Sequence, residues 1–166
     1  MTAYALPLEG GGTMPESGRE RRHLQPGQLF VAERPTVITT ILGSCVAVCL
    51  WDRHKGIGGM NHFMLPMNAG GAVTSLRFGN MAMEQLVTKL RGAGARLPNL
   101  RARVFGGACM FKAMQSPDHL GAKNSMLALE DLARRGIEIV QAEVGGTRGR
   151  KLVFYSDTGA VWTNLI

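Results

Sequence analysis

The chain has 166 residues, the size of one domain, so a single core is expected and a large multidomain assembly is excluded. Hydrophobic residues make up 45% and charged residues 19%, unlike a disordered chain, and no apolar run nears the roughly 18–20 residues that span a bilayer. The formal charge is +7; residues 1–34 hold four Arg and four Glu, so the whole excess lies in residues 35–166, a basic field suited to acidic partners. Aromatics are only 6% and interleave with no Lys/Arg run, which argues against nucleic-acid binding.

Residues 1–28 are rich in Gly, Pro, Glu and Arg, without apolar periodicity or the pattern of a secretion signal, and are expected to be a flexible tail with little function. A single domain over 29–166 and a cytoplasmic location, without membrane insertion, follow. Residues 29–33 can enter a first strand. TVITTIL, residues 36–42, is dense in β-branched residues and predicts a strand. After Gly43-Ser44, residues 45–51 (CVAVCLW) form an apolar run expected to be buried on both faces. Residues 52–56 are its turn, and residues 57–65 the next strand, ended by Pro66 and a Gly-rich loop. Residues 81–91 show a helical period with Met83, Leu86, Val87 and Leu90 on one face. Residues 100–105 alternate as a strand and run into Gly106-Gly107. A second helix is expected over 121–135, with Met126, Leu129, Leu132 and Ala133 inward and Gly136 as its stop. Strands over 137–142, 151–156 and 160–165 close the chain. This is an α+β pattern, strand-rich with two main helices.

Three cysteines, Cys45, Cys49 and Cys109, fit no zinc or disulfide framework. Cys45 follows Gly43-Ser44 at a break between two apolar strands, where unpaired backbone N–H groups can stand beside a thiol as an oxyanion site requires. On pattern alone the commoner fate of a cysteine such as Cys45 in an apolar run is a small buried hydrophobe; Cys49, deeper in the run, and Cys109, among small residues, read as packing. If the strands around 45 and 57 pair as an antiparallel hairpin, His62 falls near the level of Cys45. His23, His54 and His119 read as solvated. A Cys/His pair needs a third group to hold the imidazole tautomer. Thr39 and Thr40 offer hydroxyls on opposite strand faces, so one of them should face the pair.

TTILGSCVAVCLWD, GIGGMNHFMLP, RVFGGACMF and GAKNSMLALEDLARRGIEIVQAEVGGTRGRKLVFYSDTG together resemble the chemoreceptor glutamine deamidase CheD family of bacterial chemotaxis, over about residues 31–166. The resemblance implies that Cys45 is the nucleophile, His62 the general base and Thr39, six positions before the cysteine, the third member. The backbone N–H groups of Ser44 and Cys45, with Gly43 in support, are the expected oxyanion donors. It also implies a layered α/β sandwich of mixed, largely antiparallel sheet, like that of toxin-type cysteine deamidases. The implied reaction converts specific receptor glutamines to glutamate through a thiolate that His62 stabilises, with no metal or organic cofactor. The implied partners are receptor cytoplasmic helices and a CheC-type phosphatase. An adaptor without activity, and another thiol enzyme such as a transglutaminase or small amidase, are the rival readings.

Overall fold

A computed structural model describes residues 6–7, 13–14, 18–68 and 75–166. Most of the expected tail before Gly18, and most of the expected Gly-rich loop after Met67, lie outside these residues. Leu6–Pro7 (β1) pairs with Thr13–Met14 (β2) in a two-residue antiparallel ladder. Among the described residues the main body has nine strands in two sheets, with two α-helices. One sheet joins Gln28–Ala32 (β4), Val46–Asp52 (β6), Ile57–Phe63 (β7), Leu100–Gly106 (β8) and Glu138–Val144 (β9) in the order β4-β7-β6-β8-β9. The other joins Glu20–His23 (β3), Thr36–Leu42 (β5), Arg150–Tyr155 (β10) and Val161–Leu165 (β11) in the order β11-β10-β5-β3. Only β3–β5 and β8–β9 are parallel pairs in these two sheets, so the expected mixed, largely antiparallel α+β fold is what the chain adopts.

The period of two along β6 makes the fold three layers deep. Val46, Val48 and Leu50 face the helices Gly79–Gly92 (α1) and Leu120–Arg135 (α2), and bury with Met83, Leu86, Leu90 and Leu132. Ala47, Cys49 and Trp51 face the other sheet, and bury with Ile38, Leu42, Leu152 and Phe154. Every residue of β6 is buried, as its unbroken apolar run requires.

Two boundaries differ from expectation for identifiable reasons. Helix α1 begins earlier because Leu65 and Pro66 accept from the N–H groups of Gly79 and Asn80, at 2.7 and 3.2 Å, donors a helix start otherwise leaves unpaired. Helix α2 buries Leu132 and packs Leu129 against the core as expected, but Met126, 60% exposed, and Ala133 face out, while Asn124, Ser125, Ala128, Asp131 and Leu132 are buried. Three of those five are polar, so an apolar count misplaces the face.

The expected tail is corrected as well. Glu20–His23 is an edge strand in register with Thr36–Thr39, and Leu24 is buried between the sheets. ERRH has no apolar alternation because all four side chains are exposed; the strand is held by its backbone and by Leu24.

The turn after β6 is organised by one buried carboxylate. Asp52 Oδ1 accepts from the N–H of His54 and Lys55 at 2.9 and 3.1 Å, and Oδ2 from the N–H of Arg96 at 2.9 Å. Burial pushes this carboxyl up, but the N–H donors of Arg96, His54 and Lys55, with the Asn99 amide, outweigh it and hold the group below the usual carboxylate range. Asp52→Ala leaves three backbone donors unpaired and is expected to cost roughly 2–4 kcal/mol in urea unfolding, with Asp52→Asn costing less because one acceptor oxygen remains.

Candidate active site

The chain crosses from the four-stranded sheet to the five-stranded one through Gly43-Ser44-Cys45, between β5 and β6. All three carbonyls of this loop are tied down. Gly43 O accepts from Ala108 N and Cys45 O from Gly107 N, both at 2.9 Å; Ser44 O accepts from Asn124 Nδ2 at 3.0 Å. The same Asn124 nitrogen donates to Met64 O at 2.9 Å, which couples the cysteine loop to the end of the histidine strand. Among the described residues the N–H groups of Ser44 and Cys45 take no backbone acceptor. The close approach requires glycine at Gly106: its φ is 108°, and a Cβ there would stand 2.2 Å from the Cys45 carbonyl oxygen.

Cys45 is a free, partly buried thiol on the sheet face it shares with Ala47 and Cys49. Ala47 is the cross-strand partner of His62, so Cys45 and His62 are diagonal neighbours, a relation that places Cα atoms roughly 7–8 Å apart and lets an aromatic ring reach across. The hairpin expected from sequence is present; its register puts Cys45 one diagonal step from His62.

His62 is 1% exposed. Its Nδ1 lies 2.7 Å from Thr40 Oγ1, and Thr40 Oγ1 donates to Leu24 O at 2.8 Å. A hydroxyl has one proton, and that proton is spent on Leu24, so Thr40 accepts from a protonated Nδ1. Nε2 is left as the acceptor nitrogen, buried and without a hydrogen-bond partner among the described residues.

Of the two strand threonines, the structure brings Thr40 to His62 and not the expected Thr39. Thr40, on the inward face of β5 with Ile38 and Leu42, meets His62; Thr39 points to the other face, where its Oγ1 lies 2.9 Å from His23 Nδ1. His23 is thus engaged by the sheet instead of lying in a solvated tail, and His119 caps α2 by accepting from Ala122 N at 3.1 Å. Cys49 and Cys109 are buried, as expected of packing thiols. Met110 covers Gly43, its methyl carbon 2.8 Å from where a Cβ would stand, and continues into exposed Phe111 and Met114.

Burial works against the charged form of both side chains. Burial pushes the Cys45 thiol up, against the smaller opposing effect of its own backbone N–H. Burial, with the nearby His23, drives His62 down to about 4, against the opposing effect of the Leu24 carbonyl, an acceptor that favours a protonated ring. Burial thus favours a neutral thiol and a neutral imidazole over the expected resting thiolate. Among the described residues no group of three potential metal-ligating side chains occurs, and no helix is long and apolar enough to cross a membrane.

Fold and site together define an α+β domain with a cysteine at a strand break and a buried histidine whose acceptor nitrogen is free. The family model described as CheD chemotactic sensory transduction matches residues 64–165. A protein of Anaeromyxobacter dehalogenans named "Probable chemoreceptor glutamine deamidase CheD 1" is 48% identical over 153 residues, 92% of this chain and 86% of that protein. One of Rhodospirillum rubrum named "Probable chemoreceptor glutamine deamidase CheD" is 43% identical over 143 residues, 86% of this chain and 81% of that protein. The chain belongs to the CheD family. Among solved structures, the Bacillus licheniformis hypothetical protein YfiH aligns at a TM-score of 0.45 with 16% identity, covering 72% of this chain and 51% of its own.

Proposed function

We infer that the protein is a chemoreceptor glutamine deamidase with Cys45 as nucleophile and His62 as base. The observation that carries this reading is the polarised chain from Leu24 O through Thr40 to His62, which leaves a buried acceptor nitrogen on the sheet face of Cys45. The family relation supplies the substrate class.

The chemistry follows from the neutral resting pair. As Cys45 Sγ attacks the glutamine carboxamide carbon, its proton passes to His62 Nε2, and the C=O π pair moves onto oxygen. The oxyanion is stabilised by the N–H groups of Ser44 and Cys45, which take no backbone acceptor among the described residues, in a loop whose carbonyls are all engaged. The imidazolium returns the proton to the amine nitrogen, ammonia leaves, and a thioester remains. Water then attacks the thioester, giving a proton to Nε2, and the Cys45–acyl bond breaks to release glutamate and the thiol. The net reaction consumes one water and yields one ammonia. Exposed Met110, Phe111 and Met114 beside Gly43 provide an apolar rim on which a helical protein substrate can rest.

The test is mass spectrometry of a purified receptor cytoplasmic domain after incubation with the protein. Glutamine-to-glutamate conversion at defined sites, with ammonia release, supports the reading. A cross-linked product indicates acyl transfer to an amine, and an unmodified receptor that still binds indicates an adaptor.

The third residue gives its own prediction. Thr40→Val is expected to lower kcat roughly 10- to 100-fold with KM unchanged, Thr40→Ser to restore most of it, and Thr39→Val to turn over near the wild-type rate. Ammonia release from the receptor fragment measures all three.

A further inference from the structure

A threonine hydroxyl both donates and accepts, so Thr40 alone cannot decide which ring nitrogen of His62 carries the proton. An aspartate in that place only accepts and decides unaided. Here the decision is made one atom further out. Leu24 O, an acceptor only, takes the Thr40 proton at 2.8 Å, and Thr40 Oγ1 must then accept from Nδ1 at 2.7 Å. We propose that residues 19–27 are a positioning element of the active site, whose Leu24 carbonyl holds His62 in the tautomer able to accept the Cys45 proton. The proposal rests on the deamidase reading above and adds a fourth group to it.

The segment is built to hold that carbonyl still. At one end Arg19 forks onto Asp157, Nε to Oδ1 at 3.1 Å and Nη2 to Oδ2 at 2.9 Å, with its guanidinium over the Tyr155 ring at 5.4 Å. The backbone of β3 then runs in register along β5, and Leu24 N donates to Thr39 O at 2.9 Å. The Leu24 side chain is buried between the sheets. At the other end Gly27 N donates to the carbonyl of His62 itself at 2.8 Å. The carbonyl that orients Thr40 is thus fixed relative to the ring that Thr40 orients. If the Leu24 acceptor weakens, the Thr40 hydroxyl is free to turn and donate to Nδ1. The ring proton then sits on Nε2, where the histidine cannot act as base.

The acceptor can be weakened without removing a side chain. Placing lactic acid at position 25 turns the Leu24 amide into an ester, whose carbonyl is a poorer acceptor; Gln25→Ala is the matched amide. The ester also lacks the N–H that donates to Gln28 Oε1 at 2.9 Å, a loss that Gln28→Ala mimics with the amide intact. Two readouts are taken: kcat and KM for ammonia release from a receptor fragment, and the ring ¹⁵N shifts of His62 in the resting protein.

Relative to Gln25→Ala, the ester is expected to lose roughly three- to tenfold in kcat with KM unchanged, while the Nδ1 resonance moves toward its unprotonated position. Gln28→Ala is expected to keep both. Adding Thr40→Val to the ester should cost less than it does in the wild type, since the two changes break one chain. An unchanged tautomer overturns the proposal, whatever the rate does. The ¹⁵N arm needs no substrate, so a wild type that releases no ammonia counts against the deamidase reading alone, whereas an active wild type with an unresponsive His62 counts against this proposal alone.

Discussion

Cys45→Ala is expected to abolish deamidation, a loss of at least about a thousandfold in kcat, with the fold intact. The thiol is only partly buried, so its removal opens little cavity, and the bonds that hold residues 43–45 are made by their carbonyls and not by the Cys45 side chain. Cys49→Ala is the informative contrast. Cys49 is fully buried between the sheets, and burial drives its thiol far above the ordinary range despite the charge of Arg103. It should retain turnover and lose about 1–2 kcal/mol of stability. Equal inactivation of a well-folded Cys49→Ala protein would reject Cys45 as nucleophile. Alkylation adds a second check: because burial raises the Cys45 thiol, its labelling by iodoacetamide should be slow at neutral pH and climb as pH rises, unlike the early labelling of a preformed thiolate.

His62→Gln is expected to reduce kcat by roughly a hundred- to ten-thousandfold, since the side chain fills similar space but cannot carry the proton through the cycle. The wild-type pH profile identifies the group. His62 must be neutral to accept a proton, and burial holds it down to about 4, so the acid limb of kcat/KM should fall well below the 6.5 of an ordinary imidazole. A limb near 6.5 would show a solvated histidine and undo the assignment. The same burial has a stability signature. Below pH 6.5 the unfolded chain protonates this histidine while the folded protein does not, so the unfolded state binds more protons and stability falls as pH drops toward 4. The shift corresponds to about 3 kcal/mol across that window, fully present above pH 6.5. Urea midpoints between pH 7 and 4 should show this loss in the wild type, and a shallower one in His62→Gln.

Much of this arrangement was legible in the residues. β-branched density marked Thr36–Leu42, the unbroken apolar run marked a strand buried on both faces, and the short turn between them and residue 57 forced the hairpin that brings Cys45 and His62 to one face. The choice between Thr39 and Thr40 was not legible. Both sit in a strand, and which face turns inward depends on where the second sheet packs; the residues left the choice open, and the family resemblance pointed to the outward one. Glu20–His23 was hidden because an edge strand with four exposed side chains carries no hydrophobic pattern. Asn124 was hidden for the opposite reason: a buried amide in mid-helix weakens the apolar face that would betray it. Its partners, the carbonyls of Ser44 and Met64, are main-chain atoms, invisible to any reading of side chains.

The three carbonyls of the cysteine loop have a consequence for the order in which this molecule comes into being. Gly43, Ser44 and Cys45 are clasped by Gly107, Ala108 and Asn124, more than sixty positions later in the chain, and β5 finds its neighbour β10 only at Arg150–Tyr155. Contacts so distant along the backbone form late and slowly. During synthesis Cys45 and His62 are therefore made long before they are brought together, and a nascent chain exposes Cys45 as an ordinary thiol. Chemical competence arrives with the last strands, so on denaturation activity should vanish together with the global unfolding transition and not ahead of it.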